Sequence, residues 1–419
     1  MYYWIIITCN RWLIGILIQP MSSLKDKKIL IVICGGISAY KSLEFIRALR
    51  KNKAEIKTII TKSAKEFVTP LSITSLSQGK VYEDLFNPEN EAEMDHISLS
   101  RWADLIVVVP ATANTLSKLS NGTCDDLAST VILASNKKIF LVPAMNVRMW
   151  EHPSNQKNLN NLKEYGYKVI GPEIGDMACG EYGSGKMTEP SEIFKYVENY
   201  FKQLRRNNNL KALVTAGPTR EYLDPVRYIT NKSSGKQGYE LAKSFRDKGF
   251  ETTLISGKTN LKPVEGIKYI EIETADEMLK ETLNNLPVDV AVFSAAVADY
   301  KAKNYSKEKI KKSDQENINL TKNVDIISYV SKHNSLRPKL TIGFAAETEN
   351  IDENAKKKLS EKNCDWIIAN DVSNEEIGFD SKYNQVKIFY KNNSDEYIEK
   401  MSKSLIAEEI VDRVIKNFN

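Results

Sequence analysis

Several short stretches in the amino-terminal half carry side chains that can hold anions or move protons. In Ile33-Cys34-Gly35-Gly36-Ile37-Ser38 an apolar run gives way to a helical one, and the two glycines let backbone N–H groups close on a phosphate at a helix N-terminus. Thr61, in Ile60-Thr61-Lys62-Ser63, and Thr112 with Asn114, in Pro110-Ala111-Thr112-Ala113-Asn114, add hydroxyl and amide groups at two further strand ends. Ligands of open α/β sheets bind along that carboxyl edge, so three such ends favour a phosphate-bearing cofactor. Met94-Asp95-His96-Ile97 offers an imidazole, Pro143-Ala144-Met145-Asn146-Val147-Arg148-Met149 an amide, and Ala178-Cys179-Gly180-Glu181-Tyr182-Gly183-Ser184-Gly185-Lys186-Met187 a thiol on glycine-rich chain. Taken singly, each also fits a plainer role: a satisfied surface histidine, a turn-forming asparagine, a small buried cysteine. His152 and His333 read as structural or solvent-facing.

The carboxyl-terminal half has its own set. Thr215-Ala216-Gly217-Pro218-Thr219-Arg220 follows a strand, and Asp224-Pro225-Val226-Arg227-Tyr228-Ile229-Thr230-Asn231-Lys232-Ser233-Ser234-Gly235-Lys236 leads into a helix. Hydroxyls, amides and positive charge at a helix N-terminus suit an anionic ligand, and equally a capped, solvated helix start. Asp299, in Ser294-Ala295-Ala296-Val297-Ala298-Asp299-Tyr300, either caps a turn or meets a ribose hydroxyl or a metal. The lysine-rich stretch from Lys301 to Lys312 is a solvated loop or a flap over phosphates, with too little aromatic interleaving for nucleic-acid binding. Lys322-Asn323-Val324-Asp325-Ile326, Gly343-Phe344-Ala345-Ala346-Glu347-Thr348 and Ala369-Asn370-Asp371-Val372 complete the polar strand ends. Lys358 and Lys362, four apart, share one helix face, either an exposed lysine face or a pair reaching phosphate.

These groups need a scaffold, and the hydrophobic pattern supplies it. KKILIVI is a β-branched apolar run followed by a glycine turn and the helical spacing of SLEFIRALRKN. AEIKTIIT, ADLIVVVPAT and KIFLVPAMN are further strands, separated by helical stretches such as ANTLSKLSNG and DDLASTVILAS. Runs apolar on both faces that alternate with helices indicate a parallel sheet covered on two sides. FKQLRRNNNL reads as a hinge, after which LKALVTAGPTR, GFETTLISG, VDVAVFSAAVADY, KLTIGFAAET and CDWIIANDV repeat the grammar in a second doubly wound domain. QVKIFYKNN is a late strand, and DEYIEKMSKSLIAEEIVDRVIKNF reads as a closing amphipathic helix. The expected organisation is an apolar extension over 1–26 outside the fold and two doubly wound, Rossmann-like α/β domains over 27–203 and 210–419.

At 419 residues, with 42% hydrophobic and 27% charged, the chain has the composition of a multi-domain globular protein and not of a disordered or fibrous one. Lys+Arg 59 against Asp+Glu 54 leaves +5, too small an excess for nucleic-acid or membrane-surface binding by bulk charge. Five scattered cysteines, at 9, 34, 124, 179 and 364, do not make a disulfide framework and point to a reducing compartment, the cytoplasm. Three histidines without HExxH or a Cys/His cluster leave the metal ligands undefined, and any metal is expected to arrive with a ligand. The apolar first twenty residues are interrupted by Thr8, Cys9, Asn10 and Arg11, too early for a membrane span, and Met21 is the expected true start.

GGISAYK, the HI pair, PATAN, PAMNxxM and ACGxxGxGKM together closely resemble the flavin-dependent cysteine decarboxylases that act on phosphopantothenoylcysteine. The resemblance implies a flavodoxin-like domain with FMN held by Gly35, Gly36, Ser38, Thr61, Thr112 and Asn114. It also implies a reaction logic. Carbon dioxide leaves easily only if the electrons left behind have somewhere to go, and oxidation of the substrate thiol to a thioaldehyde provides that sink. The resemblance assigns His96 to the oxidation, Asn146 to the substrate carboxylate and Cys179 to protonation of the enethiolate. Asp95, Lys186 and Cys34 depart from a small residue, a frequent Arg and a frequent Ser.

TAGPTRE, DPVRYITNKSSGKQG, AAVADY, KIKK, KNVDI, GFAAET and ANDVS likewise resemble the phosphopantothenate–cysteine ligases, from about Leu210 to the C-terminus. The bacterial fused form implies CTP and Mg²⁺, activation of the 4'-phosphopantothenate carboxylate as an acyl-cytidylate, and displacement of CMP by cysteine. Lys309 is then expected to neutralise phosphate charge and Asn231 to hold the acyl intermediate, while Phe293, Ser294, Ala295, Asp299, Val324, Asp325, Ile326, Ile327, Phe344, Lys358 and Lys362 line a nucleotide-binding ligase site. The joint expectation is a bifunctional enzyme of coenzyme A synthesis with trimer contacts in the flavin domain and dimer contacts in the ligase domain. The alternatives are a peptidyl-cysteine decarboxylase and a non-catalytic regulator on the same fold, the latter disfavoured because His96, Asn146, Cys179, Asn231 and Lys309 are all present.

Overall fold

The computed structural model describes residues 4–9, 12–17, 23–85, 95–311, 317–371, 373 and 381–418. Met21, Met94, Lys312 and Val372, and the side chains of Asp95 and Asp371, lie outside the described residues. Two compact units divide the chain, Met1–Lys202 and Gln203–Asn419.

In the first unit β1 (Trp4–Cys9) and β2 (Trp12–Leu17) pair antiparallel with each other in a sheet of their own. The main sheet is parallel and six-stranded: β3 (Lys28–Ile33), β4 (Glu55–Ile60), β5 (Val81–Tyr82), β6 (Leu105–Ala111), β7 (Lys138–Pro143) and β8 (Lys168–Val169), in the order β5-β4-β3-β6-β7-β8. Its central strands are apolar on both faces because both are covered: Ile29 to Ile33 and Leu105 to Val109 are 0% exposed. Around it lie α1 (Ala39–Lys51), α2 (Pro70–Ser77), α3 (Asp95–Trp102), α4 (Ala113–Asn121), α5 (Leu127–Leu133), α6 (Val147–Glu151), α7 (Pro153–Glu164) and α8 (Pro190–Asn207). Leu30, Val32, Ile106 and Val108 pack with Leu116, Leu119, Val131 and Leu162 of α4, α5 and α7. The alternate residues point to the other face, where Phe140 meets Tyr200 of α8 edge-on at 5.4 Å. An antiparallel hairpin, β9 (Glu173–Asp176) and β10 (Tyr182–Lys186), stands beside the sheet.

The second unit repeats that topology. Strands β11 (Lys211–Ala216), β14 (Glu251–Gly257), β15 (Lys268–Ile272), β16 (Val290–Phe293), β19 (Leu340–Glu347) and β20 (Trp366–Asp371) are parallel, and β21 (Tyr383–Tyr390) and β22 (Asp395–Ser402) extend the sheet antiparallel, in the order β15-β14-β11-β16-β19-β20-β21-β22. Two small hairpins project from it, β12 (Arg220–Tyr222) with β13 (Tyr228–Thr230) and β17 (Tyr300–Ala302) with β18 (Leu320–Lys322). Helices α9 (Lys236–Asp247) and α13 (Lys403–Asn417) cover one face with Leu241, Phe245, Ile410 and Val414. The residues of α10 (Ala275–Asn284), α11 (Ile326–Ser331) and α12 (Ile351–Lys362) join the core of the other face through Met278, Ile327, Val330 and Leu359.

Both units are doubly wound, Rossmann-like α/β sheets, as expected. Counted along each main sheet the order is 3-2-1-4-5-6, that of a Rossmann sheet and not the 2-1-3-4-5 of flavodoxin. Each therefore has its switch point between its first and fourth strands, β3/β6 and β11/β16.

Two local expectations are corrected. Asp395–Ser402 is the edge strand β22 and not the start of the closing helix, which begins only at Lys403. Ile398, Met401 and Leu405 are spaced as on a helix, but Ile398 is buried against the sheet and Ser402 caps α13 by accepting from Leu405 N at 3.3 Å. Phe201–Asn207 forms the last turns of α8, where sequence suggested a hinge. The buried Asn207 amide donates to Lys248 O at 2.8 Å, which anchors the polar end of the helix. Among the described residues no helix is long and apolar enough to cross a membrane.

Candidate active sites

At the first switch point the β3 turn packs closely on the residues after β4: a Cβ on Gly35 would lie 2.4 Å from Ser63 Cβ, so only glycine admits this approach. Gly36 has open space around it. Ser38 and Thr61 both stand at helix N-caps, before α1 and before a short 3₁₀ helix (Lys62–Glu66), and neither hydroxyl makes a capping bond. Thr112 caps α4 by accepting from Thr115 N at 3.3 Å, and Asn114 is exposed in the first turn of that helix. The residues expected at the phosphate thus gather at the carboxyl ends of β3, β4 and β6. Thr115 Oγ1 donates to Cys34 Sγ at 3.2 Å, and burial pushes that thiol up to about 11. Cys34 is a packed side chain here, not a nucleophile.

Asn146 caps α6: its Oδ1 accepts from Met149 N at 2.9 Å, which leaves the Nδ2 donor for another acceptor. Cys179 lies exposed in the turn between β9 and β10, with Sγ donating to Glu181 Oε2 at 3.7 Å. The hairpin docks on the Asn146 turn through Met145 N donating to Gly185 O at 3.1 Å. Gly185 is at φ +143°, and a Cβ there would come 2.3 Å from Met145 O. The hairpin that carries Cys179 in its turn is so anchored through β10 to the Asn146 turn, 40 residues earlier in the chain at Met145. His96 is half-buried in the first turn of α3, and among the described residues no hydrogen bond joins it to Asn146 or Cys179. Glu181 was not singled out from sequence; only its place two residues beyond the cysteine signals it.

The second switch point opens into a cavity of about 400 Å³. Phe293, Ala295, Asp299, Val324, Asp325, Ile326, Ile327, Phe344, Lys358 and Lys362 all line it. Ser294 does not: its hydroxyl turns back and donates to Thr215 O at 2.7 Å, beneath α9. Asn323 also lines the cavity, donating to Ala298 O at 2.8 Å while its buried Oδ1 has no partner. Lys358 pairs with Glu347 at 2.6 Å, and Lys362 with Asp325 at 3.3 Å. The same Asp325 caps α11 by accepting from Ser328 N at 3.0 Å. The lysine pair shares one helix face, as the spacing predicts, but that face is turned to the cavity and not simply to solvent. Asn231 reaches the wall, its amide donating to Val297 O at 2.9 Å.

Lys309 is exposed and outside that lining, on a loop tied to the DPVR segment. Asp224, 0% exposed, accepts from Val226 N, Arg227 N and the Arg227 guanidinium, and from Ile310 N at 3.2 Å. Burial alone would raise its pKa, but the amides of Val226, Arg227 and Ile310 and the guanidinium hold it far below the usual carboxylate range. Sequence gave no sign of this contact, since Ile310 is 86 residues away. His152 Nδ1 accepts from Ser154 N, and His333 Nδ1 from Ser335 N and Leu336 N, local bonds that cap the chain just beyond each ring. No group of three or more His, Cys, Asp or Glu that could hold a metal occurs among the described residues.

The Flavoprotein family model matches residues 17–202, and the model of the DNA/pantothenate metabolism flavoprotein C-terminal domain matches residues 207–418. The chain is 43% identical to the coenzyme A biosynthesis bifunctional protein CoaBC of Haemophilus influenzae, over 94% of this chain and 98% of that one. It is 39% identical to the protein of that name from Escherichia coli K12, over 95% and 98%. A crystal structure of the C-terminal domain of a coenzyme A biosynthesis bifunctional protein CoaBC is 36% identical, covering 51% of this chain and 98% of that one with a TM-score of 0.43. With matched halves in this order and 39–43% identity over nearly the full length of both chains, the chain belongs to the family of bifunctional CoaBC proteins of coenzyme A biosynthesis, a flavoprotein decarboxylase joined to a phosphopantothenate–cysteine ligase.

Proposed function

We propose that the second unit joins cysteine to 4'-phosphopantothenate with CTP, and that the first decarboxylates the product to 4'-phosphopantetheine with FMN. The observation that carries the nucleotide reading is the cavity at the β11/β16 switch point, where ten residues singled out for CTP meet around one space. A carboxylate oxygen of the substrate attacks the α-phosphorus and pyrophosphate leaves; the cysteine amine then attacks the acyl carbon, loses a proton and expels CMP. Lys309 neutralises charge that develops on the phosphates, and Asn231 holds the acyl group beside the Val297 wall. Mg²⁺ would enter on the triphosphate as part of the substrate, and Asp299 lines the cavity that would receive it.

In the first unit the close-packed glycine turn at Gly35 and the uncapped hydroxyls of Ser38 and Thr61 fit a phosphate-bearing flavin. When bound, FMN supplies the electron acceptor for the substrate thiol and later returns the electrons. Asn146 presents its free Nδ2 to the substrate carboxylate, so that carbon dioxide departs from a fixed position. Cys179 gives its proton to the enethiolate carbon, and His96 assists removal of hydrogen from the substrate in the oxidation.

The proposal extends to assembly and place. Ile37, Tyr40, Phe67 and Leu71, 45–76% exposed around the flavin loops, support a subunit contact there, and Val226, Tyr228, Tyr300 and Tyr305 one in the ligase unit; that the first is trimeric and the second dimeric follows from the family resemblance. The cytoplasm suits the free thiols of Cys34, Cys124, Cys179 and Cys364. The test is to record the visible spectrum of the purified chain and incubate it with 4'-phosphopantothenate, cysteine, Mg²⁺ and either CTP or ATP, following products by mass spectrometry. A yellow protein forming 4'-phosphopantetheine with CTP is expected. A folded, yellow protein giving no ligated product would overturn the ligase reading.

A further inference from the structure

We propose that Asp224 is a positioning residue for ligation, whose buried carboxylate fixes the Lys309 loop against Arg227 and so holds the lysine where phosphate charge develops. This rests on the reading of Lys309 given above. The two carboxylate oxygens have separate duties. Oδ1 accepts from Val226 N and Arg227 N, both at 2.8 Å, and shapes its own turn. Oδ2 accepts from Arg227 Nε at 2.9 Å and Nη2 at 2.6 Å, and from Ile310 N at 3.2 Å. Arg227 Nη2 in turn donates to Ile310 O at 2.5 Å. The residue immediately after Lys309 is therefore gripped at both its N–H and its C=O by one ion pair. A second tie lies nearby, Ser306 N donating to Leu223 O at 3.0 Å, so that residues 306–310 are fastened along residues 223–227.

A turn former alone would need only Oδ1. The whole side chain is 0% exposed, and a carboxylate is costly to bury unless its partners compensate; here the partners reach beyond the turn to the flap. Asp224→Asn separates the two duties, because the amide oxygen can still serve the turn while the NH₂ group meets the guanidinium and the Ile310 N–H, donor against donor.

The test uses the full chain and a double-mutant cycle. Asp224→Asn is expected to lower the kcat of ligation about tenfold or more, with KM for CTP and 4'-phosphopantothenate changed by no more than about threefold. Decarboxylation of supplied 4'-phosphopantothenoylcysteine stays at the parent rate. Adding Asp224→Asn to Lys309→Ala costs less than about twofold beyond Lys309→Ala alone, since the carboxylate acts through the lysine. Ile310→Pro, which removes the loop donor and leaves the Asp224 turn intact, reproduces the kcat loss in a protein whose CTP binding by calorimetry is unchanged. Multiplying effects, or full ligation in Ile310→Pro, would overturn the inference and leave the role of Lys309 standing. Full ligation in Lys309→Ala would instead remove that role and the inference together.

Discussion

Asp224 and the cysteines show how burial assigns roles to groups of the same type. The carboxyl of Asp224 is held far below its ordinary range in the folded chain, by the amides and guanidinium that outweigh its burial. A depressed folded pKa contributes stability that is complete above the unfolded value, about 3.9, and is lost as pH falls toward the folded one. Chemical denaturation of the parent between pH 7 and pH 3 is therefore expected to show the second unit weakening with acid, with a shallower decline in Asp224→Asn. The thiols divide the same way. Cys34 and Cys364 are pushed up by burial to about 11 and about 12, whereas Cys124 and Cys179 are exposed. Alkylation of the native protein at pH 8, mapped by peptide mass, is expected to label Cys124 and Cys179 and spare Cys34 and Cys364. Cys179→Ala is expected to trap a late decarboxylase intermediate, visible by mass spectrometry, with ligation at the parent rate. Residue types and spacing made Asn146, Cys179 and the lysine pair legible as candidates. They left Asp224 hidden, because Asp before Pro reads as a turn and its decisive partner is distant in sequence. Ser294 was misplaced for a related reason: strand-end position is legible, but the direction of a hydroxyl depends on the carbonyl it finds.

Elements position these groups through backbone contacts as much as through side chains. The β9–β10 hairpin meets the Asn146 turn through Gly185, at φ +143° with no room for a Cβ. Gly185→Ala is expected to destabilise the first unit by about 1–3 kcal/mol and to lower decarboxylation at least tenfold, as judged by thermal melting and steady-state assay. Ligation should not change. The glycines announced a loop, yet neither the hairpin it forms nor what it packs against. The strands themselves were legible wherever β-branched runs are buried on both faces, as in β3 and β6. The edge strand β22 was not, because one buried side chain, Ile398, cannot distinguish a period of two from one of 3.6.

At the scale of the molecule, each unit closes its own core. Leu30, Val108 and Leu116 belong to a cluster of the first, and Val214, Phe245 and Ile410 to one of the second. Fragments divided between Lys202 and Gln203 are accordingly expected to fold separately, the first yellow with flavin and the second competent in ligation. Two calorimetric transitions, each retained in one fragment, would check this; a fragment that fails to fold would refute it. The doubly wound plan of both units was legible from alternating strands and helices. The order of strands was not, since periodicity records which faces are buried and says nothing of which neighbour lies alongside.

The cavity at the β11/β16 switch point comes furnished with its own counterions. Glu347 occupies Lys358 and Asp325 occupies Lys362, so the triphosphate of the proposed reaction would exchange one anion for another and not merely fill a positive hole. A site of that kind turns away weakly charged anions, which cannot outcompete a tethered carboxylate. It also surrenders less of its affinity to rising salt than an unpaired lysine pair would, because fewer mobile ions are released on binding.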